Sequence, residues 1–289
     1  IILLEKLLRI DPENYGLRAG VNLAICYFLR GDFSTSKVTL FSVAKIHEKK
    51  SLKFKNEQAY RKYLLNILKF HEGESFDSYD KEKNNILFVI GESHSLIAHY
   101  LNIKSSGYTF FSNAKLIKGC MQWHLGNPNK NKYKSQFEDI FSSIPKSSEV
   151  LLTIGEIDCR LDSGIIKHSK KYPGKDIQVI ISSTVGNYLN YIHQNNFEYK
   201  HKIIIQGVPC PNISTKNVAQ KEVKKLIGVI KNFNNENKNK SNEKGFKFLD
   251  VYGLTNRGDG FSNGVWHIDN NHLTPKGFLK AWNSMKPIW

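Results

Sequence analysis

The 289-residue sequence lacks any apolar run near the roughly 18 residues that a bilayer-spanning helix needs, since Lys, Asn or Gly interrupts every candidate. No transmembrane segment is expected. Cysteine is scarce: Cys26, Cys120, Cys159 and Cys210 stand far apart, with no CxxC pair and no Cys/His ligand spacing. That argues against a zinc ribbon or a disulfide framework, and for free thiols in a reducing, cytoplasmic setting. No positively charged segment leads into an apolar signal core, although the sequence starts at Ile1 rather than Met, a start compatible with a signal already removed. Neither GxxxxGK[ST] nor GxGxxG occurs, so no nucleotide cofactor is indicated and none of another kind is expected.

Arginine is also rare. The formal charge is +16, from 42 Lys+Arg against 26 Asp+Glu, yet only Arg9, Arg18, Arg30, Arg61, Arg160 and Arg257 are arginines. Proteins that read phosphates usually add arginine for its bidentate fork. A chain rich in Lys, Asn and Ile is what an AT-rich coding sequence produces by codon bias, so nucleic acid is not the expected partner. Affinity for other anionic polymers remains a lesser reading. The densest basic run, Lys231 to Lys244, is interspersed with glutamates and asparagines and reads as a solvated loop.

What is present suffices for a core: 40% apolar and 12% aromatic residues. Residues 1–70 show apolar positions at three- and four-residue spacing, which predicts helices around Leu3–Ile10, Leu17–Leu29, Ser34–Ile46 and Glu57–Phe70. Asp11-Pro12 stops the first and Gly31-Asp32 the second. The series Asp11-Pro12-Glu13-Asn14, Asn22-Leu23-Ala24, Tyr27 and Gly31-Asp32-Phe33 resembles the tetratricopeptide repeat, with Ser36 where alanine is commoner. The likeness covers little more than one repeat and implies helices able to bind a protein partner. Such units need neighbours to bury their faces.

Residues 71–84 are polar and read as a linker. From 85 to 289, short apolar segments (Ile86–Ile90, Tyr108–Phe111, Val150–Ile154, Ile203–Gln206 and Phe246–Val251) alternate with stretches long enough for helices. This predicts an α/β domain with a mostly parallel sheet, whose functional groups belong on loops at the strand C-terminal ends.

The first such strand runs straight into Gly91-Glu92-Ser93-His94-Ser95 and a helix-compatible segment. A serine there suits a nucleophile beside backbone N–H groups, and equally suits a helix N-cap. Near the other end, Trp266-His267-Ile268-Asp269-Asn270-Asn271-His272-Leu273 precedes a helix start at Thr274-Pro275. At that spacing Asp269 can accept from the His272 ring and leave the other nitrogen as a base, or the pair can simply brace a turn.

Together, the GxS block after the first strand and the DxxHL block after the last resemble the SGNH (GDSL-type) hydrolase superfamily, over roughly Asn85 to Trp289. The resemblance implies a flavodoxin-like three-layer fold and acyl-ester chemistry, with Ser93 as nucleophile, His272 as general base and Asp269 orienting the imidazole. It also implies oxyanion donors from the serine's own N–H, from a glycine for which Gly119 is the candidate, and from an asparagine in a GxND block. Here that block reads Gly155-Glu156-Ile157-Asp158-Cys159-Arg160, with Ile157 in the asparagine's place. Arg160, anchored on Asp158 or Glu156, is the candidate substitute donor; alternatively these three charges only brace the loop. His267, Asp269 and His272, with His94, show no established metal-ligand spacing, and no metal is expected. The expected function is serine-dependent ester hydrolysis or O-acyl transfer, on a glycan or glycolipid. The chief rival is a non-catalytic adapter acting through the helices.

Overall fold

The computed structural model describes residues 1–10, 12–44, 55–73, 85–105, 108–216 and 218–285. The chain divides into two compact units, Ile1–Tyr79 and Asp80–Trp289.

The first unit contains helices α1 (Ile2–Ile10), α2 (Pro12–Leu29), α3 (Phe33–Ala44) and α4 (Lys55–Glu72). The turn between α2 and α3 closes with Gly31 N–H donating to Phe28 O and Asp32 N–H to Tyr27 O. Asp32 Oδ1 then accepts from Thr35 N–H at 3.0 Å, satisfying a donor that α3 leaves open. The helices approach through small residues: a Cβ on Gly20 would fall 2.2 Å from Val43 Cγ1. Ser36 Oγ donates to Ala24 O at 2.8 Å, from the same close face. Leu17, Phe28, Leu40, Leu64 and Ile67 are fully buried between the helices. Helix α4 continues through His71 and Glu72, because His71 is an inward-facing residue stacked on Phe33 at 4.6 Å. A linker beginning at 71 is therefore corrected at its start, and positions 74–84 lie outside the described residues, as do 45 and 46 at the expected end of α3.

In the second unit six strands form one sheet: β1 (Asn85–Gly91), β2 (Asn102–Ser105), β3 (Tyr108–Leu116), β4 (Glu149–Thr153), β5 (Lys202–Gln206) and β6 (Lys247–Leu249). Their order is β2-β3-β1-β4-β5-β6; all neighbours are parallel except the edge strand β2, which runs antiparallel to β3. The expected mostly parallel α/β sheet is thus present, with β2 added. Its polar sequence, Asn-Ile-Lys-Ser, carries no apolar strand pattern; Ile103 is buried while Asn102 and Lys104 are exposed.

A short 3₁₀ helix (Ser93–Ala98) follows β1, and α5 (Gln122–Gly126) and α6 (Lys132–Ser143) follow β3. Helices α7 (Glu156–Cys159), α8 (Gly164–Lys171) and α9 (Ile177–Tyr199) lie between β4 and β5. The remaining helices are α10 (Gln220–Glu243), α11 (Val251–Thr255) and α12 (Pro275–Ser284). Phe88, Ile90, Val150, Leu152, Ile203 and Ile205 enter one apolar cluster with Phe137, Val185, Tyr188 and Phe233. The alternate residues Leu87, Val89, Leu151 and Ile204 are equally buried, so both sheet faces are covered. Strands β1, β4 and β5 are consequently near-continuously apolar.

The run Lys231–Lys244 is not a solvated loop: all of it but the capping Lys244 forms the second half of α10. The inward spacing of Leu226, Val229, Ile230 and Phe233 is carried on by Asn234, Asn237 and Ser241, which are buried and polar. Asn234 accepts from Val208 N–H at 2.7 Å and donates to Val208 O at 2.8 Å. Hydrogen bonding, rather than an apolar stripe, keeps that face inside. All four cysteines are free thiols, and no described helix is long and apolar enough to cross a membrane.

Candidate active site

The chain passes from β1 to one side of the sheet and returns through β4 on the other, so the order reverses between the C-terminal ends of β1 and β4. Open α/β sheets place ligands at that crevice. Gly91 allows it to be tight: a Cβ there would lie 2.0 Å from Thr153 Oγ1 and 2.6 Å from Thr153 O. Ile117 N–H donates to Gly91 O at 2.7 Å, which draws the loop bearing Gly119 alongside. Gly119 itself has φ of 75°, a left-handed backbone that suits glycine.

Ser93 opens the 3₁₀ helix and is 4% exposed. Its Oγ lies 2.8 Å from His272 Nε2, and His272 Nδ1 lies 2.8 Å from Asp269 Oδ2. The loop carrying the latter two is pinned on both sides. His267 and Leu273 form an antiparallel bridge, Ile268 N–H donates to His272 O, and Thr274 N–H donates to Trp266 O. Asp269 Oδ1 also accepts the backbone N–H of Asn271 and of His272, each at 2.8 Å, so the carboxylate is fixed by its own turn before it meets the ring. Thr274 caps α12 by accepting from Gly277 N–H, with Pro275 in the first helical turn. Asn212, on the loop after β5, fastens the turn further, donating from Nδ2 to Asp269 O and from N–H to Asn270 O. Nothing about a lone asparagine after a strand singles it out in the sequence.

The electrostatics follow from this wiring. Burial disfavours charge on Asp269, but its bonds to the His272 ring and to two backbone N–H groups outweigh that and hold it well below the usual carboxylate range. Burial likewise disfavours a charged His272, yet Asp269, with Glu92 and Glu156 farther off, raises it above an ordinary histidine. His94 lies next to it, ring centroids 4.6 Å apart, and burial pushes it down to about 3, so it is neutral. His267 faces Ser262 Oγ at 2.8 Å and is lowered by burial to about 4. It takes no part in the Ser93–His272–Asp269 chain.

The third block is arranged around two separate anchors. Arg160 pairs with Glu156, with Nε reaching both carboxylate oxygens (2.8 and 2.9 Å) and Nη2 reaching Oε2. Its Nη1 takes no part in that pair. Asp158, the other anchor considered for Arg160, is engaged elsewhere. Fully buried, it accepts the N–H groups of Gln122 (2.8 Å) and Trp123 (3.2 Å) at the start of α5. Burial nevertheless pushes it up to about 7. Gln122 in turn donates to Ile154 O and to Asn237 Oδ1, both at 2.9 Å. Asp158 thus ties α5 to the loop after β4, and Gln122 extends the tie to α10. Ile157, between the two anchors, carries an apolar side chain with no hydrogen-bond donor.

Glu92, absent from the sequence-based candidates, is 1% exposed, and its Oε2 lies 2.5 Å from Ser93 Oγ. Glu92, His94 and Glu156 each bring one ligand-capable atom within 4.8 Å of the others. Both oxygens of Glu156 are already held by Arg160, whose positive charge would stand against a cation, so we assign no metal there. A cavity of about 760 Å³ lies beside the third block, with Trp123, Asp158, Lys167, Lys171, Lys175 and Val179 among its lining. Ser93, Asp269 and His272 do not line it.

No known family model matches the chain, and no curated protein matches it. Among solved structures it is similar to an extracellular lipase from Streptomyces rimosus, at 15% identity over 69% of this chain and 99% of that one, with a TM-score of 0.44. A GDSL-like lipase from Bacteroides thetaiotaomicron is similar at 16% identity over 75% and 93%, with a TM-score of 0.45. A carbohydrate acetylesterase from Sinorhizobium meliloti is similar at 13% identity over 70% and 96%, with a TM-score of 0.41.

Proposed function

We propose that the second unit is an SGNH-type acyl-transfer domain working through an ester on Ser93. The observation that carries this reading is the unbroken chain from Ser93 Oγ to His272 Nε2 and from His272 Nδ1 to Asp269, at 2.8 Å in each link. An unassisted serine hydroxyl is a weak nucleophile at neutral pH. In the proposed first step His272 Nε2 takes the Ser93 proton while Oγ bonds to the acyl carbon. The tetrahedral oxyanion then collapses, and His272 returns the proton to the departing alcohol oxygen. Water, or a second hydroxyl, repeats the sequence in reverse and frees the serine. Asp269 keeps the ring in the tautomer that leaves Nε2 bare, and it stabilises the imidazolium formed between the two proton transfers.

For the oxyanion we assign the Ser93 N–H, the Gly119 N–H and the unengaged end of Arg160 as donors. Glu156 holds that guanidinium in place, and Asp158 sets the loop through its two bonds to α5. Whether water or a sugar hydroxyl ends the cycle depends on how the acyl-enzyme is shielded, so hydrolase and O-acyltransferase are two outcomes of one mechanism. We propose a glycan or glycolipid ester as substrate. Support comes from Trp123, 51% exposed at a cavity rimmed by lysines that adjoins the third block through Asp158 and not the triad itself, a combination of aromatic face and positive charge suited to the more distant part of a glycan with an anionic group. We further propose that the helices of the first unit, with Val38 and Phe41 exposed on α3, serve as a tetratricopeptide-like partner surface.

A fluorophosphonate probe tests the chemistry. Covalent labelling that is lost in Ser93→Ala supports it. A folded wild-type protein that takes no label points instead to a non-catalytic adapter, in which Ile157 marks a site that has lost its donor.

A further inference from the structure

Ser93 Oγ stands between two acceptor-capable groups, Glu92 Oε2 at 2.5 Å and His272 Nε2 at 2.8 Å. The hydroxyl has one proton. If Glu92 were a carboxylate while His272 kept its own proton on Nδ1 for Asp269, two lone pairs would compete for that proton, and one contact would set lone pair against lone pair. One additional proton, on either Glu92 or His272, removes the conflict. On His272 it disables the base. On Glu92 it leaves the base free.

Among the described residues, the groups able to offset a Glu92 carboxylate are His272, which must stay neutral to act as a base, and Arg160, whose Nε and Nη2 are on Glu156. Glu92 Oε1 has no hydrogen-bond partner among the described residues, and His94 Nε2, also unpartnered, stays 3.8 Å away. A carboxylate buried in this manner is costly, and neutralising it is the usual escape.

We propose that Glu92 is a further catalytic residue, a carboxylic acid that carries its proton in the working enzyme and donates it as a hydrogen bond to Ser93 Oγ, turning the serine's own proton toward His272 Nε2. The proposal rests on the acyl-transfer reading above. It moves no extra proton: the serine proton still passes to His272, and Glu92 retains its own while its bond follows Oγ from alcohol to ester.

Among the described residues, the groups facing Glu92 are His94 and Ser93 on its own segment, His272 with Asp269 behind it, Glu156 on α7, Arg160 just after α7, and Cys120 from the loop after β3. Burial raises the affinity of Glu92 for its proton and prevails over the opposing pull of His272, Ser93, Arg160 and the His94 N–H. Because Glu92 and His272 face one another across the serine, the two titrate as a pair.

Two measurements on the full chain test this. The first is the infrared difference spectrum of wild type minus Glu92→Gln at neutral pH. An un-ionised carboxylic acid band lost in the variant supports the proposal, and loss of carboxylate bands alone overturns it. The second is the rate of fluorophosphonate labelling across pH. Wild type should rise as His272 becomes neutral and then fall roughly tenfold at alkaline pH as Glu92 loses its proton, about the ratio expected when a charge-assisted hydrogen bond holds the serine proton elsewhere. Glu92→Gln, whose amide can still donate to Oγ, should lose the alkaline fall, while Glu92→Ala should be slower at every pH. A variant Glu92→Gln that keeps the alkaline fall, or that is as slow as Glu92→Ala, overturns it. Should Glu92→Ala not fold, Glu92→Gln and the spectrum decide alone. If no form is labelled at any pH, the acyl-transfer reading fails, and the carboxyl spectrum still reports whether Glu92 holds a proton.

Discussion

Asp269 binds His272 twice over: Oδ2 meets the ring Nδ1 and Oδ1 meets the backbone N–H, each at 2.8 Å, so one carboxylate fixes both where the histidine sits and which tautomer it adopts. Replacing Asp269 by Asn keeps an oxygen for the backbone N–H but offers the ring an amide that no longer enforces the tautomer. The expected result is a folded protein with labelling or esterase rates down by about 10³–10⁴, the scale on which a triad loses its orienting carboxylate. Circular dichroism and labelling kinetics check the two halves of that statement.

Arg160 is expected to matter for rate more than its half-exposed position suggests. With Ile157 unable to donate, Arg160→Ala should lower kcat/KM by about 10²–10³, the usual scale for one oxyanion donor. Arg160→Lys should recover little, since an ammonium cannot hold Glu156 bidentately and also reach elsewhere. Wild-type turnover by a stable Arg160→Ala protein would reduce the Glu156–Arg160 pair to a brace.

Asn234→Ala removes the partner of both the N–H and the C=O of Val208 inside the core. The expected cost is about 2–3 kcal/mol, from two buried backbone groups left without bonds. Urea unfolding of the variant should show a lower midpoint at unchanged slope.

His71 supplies a pH test in the first unit. Burial lowers it to about 4, below the ordinary 6.5, so the unfolded chain binds the extra proton more readily between those values. Its contribution to stability is therefore full above about 6.5 and is lost as pH falls toward 4. His94 and His267 push the second unit the same way. Asp158, raised to about 7, acts in the opposite direction, favouring the folded state at low pH and losing that effect as pH rises from about 4 to 7. His71→Phe should flatten the acid side of the thermal-midpoint curve, and Asp158→Asn should steepen it.

Much of this architecture is legible because apolar β-branched runs and Gly-bounded turns encode buried parallel strands directly. Five of the six strands carry that signal, though β3 extends to Leu116 beyond its apolar run and β6 is shorter than its own. The signal fails where burial is polar. Asn234, Asn237 and Gln122 are interior residues whose hydrogen bonds depend on chain neighbours far away in sequence, so α10 looks like a solvated run until the fold is known. Glu92 is hidden in the sequence for a related reason. A glutamate before a serine reads as surface charge, and only burial turns it into a contact with Ser93.

The three groups of the proposed mechanism also carry a temporal consequence. Ser93 and His272 are 179 positions apart, and the turn that orients His272 is pinned by Asn212 as well as by its own bonds. A growing chain can complete β1, β3 and β4 while its serine has no base. The loop with Asp269 and His272 joins only after β5 and β6 are in place. Loss of the chain beyond β6 would therefore take away both Asp269 and His272 while Ser93 stays, and such a shortened molecule would be recognised by failing to take a serine-directed label.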